Sequence, residues 1–181
     1  MKKLQQHEFT LVLGGVDDLS EGLDDQLYNA GCDDALINFR NGTVYIDFNR
    51  EDASIEEAVI TAIKQIESIP ARARVISILP DDFVSESEIA RRLNQNKQTV
   101  SLWVKRERRQ KLPFPNPILK LSEKSPLWRW HEVINWLHQQ ELLQDKSLVE
   151  SAKFISHINA VLGERDPHIK KYRHDILNRL S

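Results

Sequence analysis

The segment "SESEIARRLNQNKQTVSLWVKRERRQK" (residues 85–111) ends in basic side chains, a residue type that neutralises nucleic-acid phosphates. Lys105, Arg106, Arg108 and Arg109 follow an amphipathic stretch, so they lie where a helix would end. Charge of this kind is also typical of a solvated helix end, and that alternative stays open. The position of the run favours phosphate contacts.

Other reactive residue types form no recognisable reaction centre. The carboxylates come in doublets such as Asp33-Asp34 and Asp81-Asp82, and neighbours on a helix point apart, so solvated charge is expected. Cys32 has no basic activator near it in sequence, and the 6 histidines lack zinc-ligand spacing. We therefore expect no catalytic residue, no metal and no cofactor, which indicates a binding protein rather than an enzyme.

The charge of the chain is unevenly distributed along its length. Residues 1–83 contain 7 Lys/Arg and 16 Asp/Glu, a net −9, whereas residues 84–137 contain 11 and 5, a net +6. Residues 138–181 contain 7 and 6, a net +1. A single domain seldom segregates charge in this way, so we predict three segments with these boundaries. A lone cysteine, no long apolar run and no signal-peptide pattern predict a cytoplasmic protein without a membrane segment.

The basic middle segment begins with two short helices. Ser85 and Glu88 match a capping box and predict a helix from about Glu86 to Leu93. The polar "NQN" interrupts it, and Asn94 tolerates the left-handed conformation of a tight turn. A second helix follows, with Val100 and Trp103 facing inward.

This spacing resembles the helix-turn-helix family. Ala90 stands at its small position, Asn94 at the turn position where glycine is commonest, and Val100 at its buried position. The resemblance implies that the second helix reads DNA, with Gln98 contacting an adenine edge and Arg106 a guanine or a phosphate. The implied DNA-binding residues are Lys97, Gln98, Thr99, Ser101, Leu102, Lys105, Arg106, Arg108 and Arg109.

The next segment, "LPFPNPILKLSEKSPLWRWHEVINWL", predicts a strand at Ile118–Leu121, a polar tip, a return strand at Leu127-Trp128 and a closing helix. Its tryptophans are expected in the core. Residues 84–137 as a whole resemble the winged helix-turn-helix domain of the MerR and AlpA/excisionase superfamily. The resemblance implies that the hairpin is a wing, and that Lys120 and Lys124 contact phosphate or the minor groove. The segment does not show the C-terminal metal- or drug-sensing sequence of MerR regulators. We therefore do not expect the protein to sense an effector in that manner.

The acidic segment predicts four strands and two helices. Alternating apolar residues, the turn at Asn41-Gly42 and the capping box at Ser54 give the order β-α-β-β-α-β, with a first helix starting at Ser20. This order matches a ferredoxin-like unit. The predicted class is therefore α+β, with a ferredoxin-like domain, a winged helix-turn-helix and a helical tail.

The tail predicts two amphipathic helices. Ser147 would cap the first, which would end at Gly163, and Asp166-Pro167 would start the second. Their apolar stripes need a partner surface, either this chain's own or a second copy's. A homodimer held by the tail is expected, with the acidic domain as a further candidate contact.

These features favour a sequence-specific regulator of transcription that binds double-stranded DNA. One alternative is an excisionase-like architectural factor of a mobile element. Another is an antitoxin or adaptor whose acidic domain binds a protein partner.

Overall fold

The computed structural model describes residues 4–17, 20–107, 111–165 and 167–180. They form a mixed α+β structure with seven helices, a four-stranded antiparallel sheet and a two-stranded sheet, so the α+β part of the prediction is confirmed. The chain divides into a sheet unit, residues 1–80 with 157–181, and a middle unit, Asp81–Ser156. This division differs from the three predicted segments. Within the described ranges, no helix is both long and apolar enough to cross a membrane.

The sheet unit contains the element order expected from the sequence. Its elements are β1 (Gln5–Gly14), α1 (Leu23–Asn29), β2 (Ala35–Arg40), β3 (Thr43–Asp52), α2 (Ile55–Glu67) and β4 (Arg74–Leu79). The strands lie in the order β2-β3-β1-β4, and every neighbouring pair is antiparallel. Alternate residues of β1 and β3 are buried, and Phe9 stacks on Phe48 with ring centroids 5.0 Å apart. The two central strands therefore supply the floor of this core.

Local turn and cap signals position these elements. Asn41 and Gly42 both have positive φ, 52° and 76°, as the predicted two-residue hairpin turn requires. The Ser54 hydroxyl accepts a hydrogen bond from Glu57 N–H and caps α2 as expected. The predicted start of α1 at Ser20 is wrong: the N-cap is Gly22, and the Ser20 hydroxyl bonds to Asp17 instead.

One acidic doublet is not simply solvated charge. Asp34 accepts two hydrogen bonds from the guanidinium of Arg50, each 2.7 Å, and Arg50 is buried. These bonds hold the pKa of Asp34 below its ordinary value, against the opposing effect of burial. The side chain of Gln65 accepts a further Arg50 N–H at 2.7 Å. Arg50 of β3 is thus joined to the turn before β2 through Asp34 and to α2 through Gln65.

The middle unit contains the two predicted short helices. Its elements are β5 (Phe83–Val84), α3 (Glu86–Arg92), α4 (Lys97–Val104), β6 (Trp128–Arg129) and α5 (Trp130–Gln139). Trp128, Trp130 and Trp136 are buried, which confirms their predicted place in the core. The Trp128 and Trp136 indoles donate to the carbonyls of Pro115 and Leu112, each at 3.0 Å. The proline-rich segment is therefore fixed against the core.

The tail does not form a separate unit. α6 (Lys146–Glu164) buries Ala152 in the middle unit and Leu162 in the sheet unit. Its first turn is capped by Asp145 rather than by Ser147, and it continues through Gly163 to Glu164. The apolar residues of α7 (Pro167–Leu180), such as Tyr172 and Leu180, are exposed. The predicted cap Asp166 lies outside the described residues.

Candidate nucleic-acid interface

The turn between α3 and α4 has the backbone geometry that the sequence predicts. Ser85 Oγ accepts from Glu88 N–H at 3.3 Å, which fixes the start of α3. Asn94 has φ 50°, and the backbone N–H groups of Asn94 and Gln95 donate to the carbonyls of Arg91 and Ala90. Such paired bonds end a helix with one left-handed residue. The turn therefore redirects the chain within three residues, Asn94 to Asn96.

Helix α4 buries one face and exposes the other. Val100 and Trp103 are buried, and Trp103 packs against Trp136 with ring centroids 5.7 Å apart. Because residues advance by about 100° per position, the opposite side carries Gln98, Ser101, Leu102 and Lys105. With Lys97, these residues form what we call the α4 surface, in which Ser101 and Leu102 are partly buried and the others exposed. Thr99 lies at its edge and is also partly buried.

Asn96, which the sequence pattern did not single out, fixes the start of α4. Its side-chain carbonyl accepts from Thr99 N–H at 2.7 Å. This is an N-cap, a position for which asparagine is among the preferred residues. The signal was present in the sequence, because Asn96 directly precedes the amphipathic stretch.

The basic run after α4 is placed differently from the prediction. Arg106 has φ 59° and lies beyond the helix, where its N–H and that of Glu107 bond to the carbonyls of Trp103 and Leu102. Arg106 is therefore not part of the α4 surface. Its side chain is exposed, and it directly follows Lys105, the last residue of that surface. Arg108 and Arg109 lie outside the described residues.

The hairpin that was predicted as a wing contains fewer β-strand residues than expected. Leu119 and Leu127 form an isolated bridge, so the predicted strand Ile118–Leu121 is wrong. The return strand is β6, and it pairs with β5 rather than with the first arm. Lys120 at the tip has φ 54° and lies 3.6 Å from the Glu123 carboxylate, while Lys124 is exposed.

Several basic side chains of the middle unit are already in ion pairs. Arg91 and Arg92 both donate to Glu88, and these hydrogen bonds lower the pKa of Glu88 to about 2. Arg92 also covers the Trp130 ring, with its guanidinium carbon 5.1 Å from the ring centroid. Lys111 pairs with Glu141 at 2.8 Å. Arg92, which is largely covered, is therefore a structural group, whereas Arg91 is 71 % exposed beside the Glu88 carboxylate that both arginines share.

Four described cations between residues 84 and 137 remain available for phosphate. Among residues 84–107 and 111–137, no ion pair involves Lys97, Lys105, Arg106 or Lys124, and all four are exposed. Two belong to the α4 surface, one follows α4 and one lies at the hairpin tip. Exposed, unpaired cations can neutralise phosphates and so release the counterions that are condensed on DNA.

The buried carboxylate of Asp82 connects several segments of the middle unit. Asp82 accepts from the Arg129 guanidinium at 3.2 Å, the Ser156 hydroxyl at 3.0 Å and the His131 backbone N–H at 3.4 Å. Burial by itself raises the pKa of Asp82, but the hydrogen bonds from His131 and Ser156 outweigh it and lower that pKa. The expectation of solvated charge is wrong here. Asp82 instead caps the start of α5 from a distant part of the chain.

No protein-family model, curated protein or solved structure matches this chain. In the part of the chain that the structure describes, no three His, Cys, Asp or Glu side chains are grouped so as to hold a metal ion.

Proposed function

We propose that the protein is a sequence-specific, double-stranded DNA-binding regulator of transcription, with α4 as the helix that enters the major groove. The α4 surface is the observation that carries this proposal. It holds Gln98, Ser101 and Lys105 opposite the buried Val100 and Trp103, so its polar side chains point away from the core.

The chemistry of this surface suits DNA better than a protein partner. α4 contains no acidic residue, and its segment, residues 84–137, carries a net +6. The Gln98 amide can donate to and accept from adenine in the major groove, where each base pair presents a distinct pattern. Lys97, at the start of α4, is suited to phosphate, which would set the register of the helix on the duplex.

The finer architecture belongs to this proposal. We assign α3 and α4 as a helix-turn-helix, the hairpin carrying Lys124 as a short wing, and residues 5–79 as a ferredoxin-like domain. The sheet order β2-β3-β1-β4 and the antiparallel pairing support the last assignment. In this arrangement the acidic segment, at −9 over residues 1–83, is kept away from the duplex because it repels phosphate.

We further propose that the protein binds as a homodimer and carries out no catalysis. One helix-turn-helix covers a short half-site, and pairing two copies is the usual route to a site long enough for specificity.

A charge reversal on the α4 surface tests the proposal. Lys105→Glu should weaken binding to DNA selected from genomic fragments by at least about tenfold, since it removes a phosphate contact and adds repulsion. Lys171→Glu makes the same charge change on the exposed side of α7 and serves as the control. Equal losses in both variants, or no DNA selected by the unmodified protein, would contradict the proposal.

A further inference from the structure

Helix α7 carries an apolar stripe that is exposed along its whole length. The stripe follows three- and four-residue spacing and consists of Ile169, Tyr172, Ile176 and Leu180, of which Tyr172 is 71 % exposed. Residues 167–180 contain four Lys or Arg side chains and one acid, Asp175, a net +3. Because residues of a helix advance by about 100° each, Lys170 and Arg179 border the stripe and Lys171 lies on the opposite side. α7 is therefore a basic amphipathic helix whose apolar side faces solvent.

A groove of complementary chemistry lies between α1 and β2, and we call it the α1–β2 groove. It has a volume of about 410 Å³, and its apolar lining includes Tyr28, Ala35 and Ile37. Phe39, two residues beyond Ile37 and on the same side of β2, extends this apolar strip and is 51 % exposed. Three carboxylates that are in no ion pair with a described residue also line the groove: Asp24, Asp25 and Asp33. The groove therefore offers apolar contact and negative charge together.

We propose that α7 of a second copy of this chain docks in the α1–β2 groove, and that the groove of that copy receives α7 of the first. An amphipathic helix that lays its apolar face in a hydrophobic groove is a common mode of recognition. The apolar stripe covers Tyr28, Ile37 and Phe39, and the cations at its borders approach the carboxylates. Two reciprocal contacts of this kind close a dimer with twofold symmetry.

Charge selects this occupant. The groove belongs to the segment of residues 1–83, which has a net −9, so a helix of net +3 placed between two such segments offsets their repulsion. Lys170 and Arg179 are exposed, and neither is in an ion pair with a described residue. A second copy therefore supplies, in one helix, both the apolar surface and the cations that complement the groove.

The apolar stripe of α7 cannot lie along the groove of its own chain. The side-chain amide of Asn159, in α6, accepts from Ile78 N–H at 2.8 Å and donates to Ile78 C=O at 2.9 Å, so α6 lies at the outer side of β4. Just past α6, Arg165 pairs with Glu67, whose carboxylate also accepts from Val75 N–H in β4. β4 and β2 are three strand spacings apart, about 14 Å. Two residues join α6 to α7 and span at most about 11 Å, so the stripe reaches only the groove of another copy.

This interface rests on the homodimer of the proposed function and gives it a location, but it does not depend on DNA binding. The sequence predicts a dimer held by the tail, and here the second tail helix meets the acidic segment of the other copy. Two α7 helices would repel each other, because each has a net +3. Much of the apolar stripe of α6 is used within its own chain, as the buried Ala152 and Leu162 show.

Sedimentation equilibrium of the full chain without DNA tests the interface. The unmodified protein should be a dimer, and Arg179→Glu and Asp24→Lys should each raise its dissociation constant by at least about tenfold, because each places like charges across the contact. Lys171→Glu is the control for the first variant, since Lys171 lies on the opposite side of α7. Glu56→Lys is the control for the second, because Glu56 is an exposed acid in the first turn of α2, as Asp24 is in α1. Thermal unfolding followed by circular dichroism establishes that each variant is folded.

A mixture of the two charge-reversed variants tests whether the contact joins two copies. In a mixed dimer of Arg179→Glu and Asp24→Lys protomers, one of the two contacts keeps its native helix and its native groove. The mixture should therefore dimerise at a concentration at which each variant alone is monomeric. A mixture that stays monomeric, or a dimer that neither variant weakens more than its control does, would overturn this interface alone.

Two further outcomes separate this interface from the proposed function. A monomeric unmodified protein would overturn both the interface and the proposed homodimer, while DNA binding is measured independently. Weaker DNA binding by Arg179→Glu with an unchanged dimer would place α7 on the duplex and overturn its docking in the groove.

Discussion

The salt dependence of DNA binding should report the exposed, unpaired cations that the structure describes between residues 84 and 137, namely Lys97, Lys105, Arg106 and Lys124. Each cation that neutralises a phosphate contributes about −0.9 to the slope of log K against log salt, so these four give about −3.6. Raising the salt from about 50 to 200 mM should then weaken binding about 150-fold. Lys124→Ala should reduce the slope to about −2.7 and the loss of affinity to about 40-fold.

Lys111→Ala is the control for that measurement. Lys111 is exposed in the same unit but pairs with Glu141 at 2.8 Å, so its removal should leave the slope unchanged. Fluorescence anisotropy with one labelled duplex at several salt concentrations gives both slopes. Equal flattening by the two variants would refute the argument that unpaired cations are the phosphate ligands. A change in the selected sequence with Lys124→Ala would refute the assignment of the hairpin as a wing.

Three further predictions concern stability. Asp82→Ala should lower the free energy of unfolding by about 2 kcal/mol in urea titrations, because it leaves partly buried hydrogen-bond donors unpaired. Asn96→Ala should lower it by about 1 kcal/mol, the usual cost of losing an N-cap. The pKa of Glu88 is about 2 instead of its ordinary 4.5, so its contribution is complete above pH 4.5 and is lost as the pH falls through about 2. In the Glu88→Gln variant, the free energy of unfolding should therefore fall less steeply between pH 4.5 and about 2 than in the unmodified protein. An unchanged pH profile would contradict a stabilising role for the Glu88 carboxylate.

Features set by neighbouring residues could be predicted from the sequence. The caps at Ser54 and Ser85 and the positive φ of Asn41 and Asn94 depend on backbone within a few positions, so local patterns suffice. The buried Val100 and the exposed Gln98 followed from the same helical spacing.

Features set by distant residues could not be predicted in this way. Asp82 caps α5 from 49 positions away, and Asp34 meets Arg50 across 16, so neither carboxylate differs locally from a solvated one. The predicted wing keeps only the Leu119–Leu127 bridge, and β6 pairs with β5, a segment far away in sequence that the local pattern does not point to. Asn159, which protects β4, has no sequence signal of its own because its partner lies 81 positions earlier.

In vitro selection from a random duplex library tests the central claim most directly, that α4 reads base sequence. Gln98→Ala should cost about 1–3 kcal/mol on the selected site and relax the preference at one base position. Gln95→Ala, an exposed glutamine in the turn before α4, should retain the motif of the unmodified protein. A Gln98→Ala variant that selects the same motif with the same stringency would contradict the assignment of α4 as the reading helix.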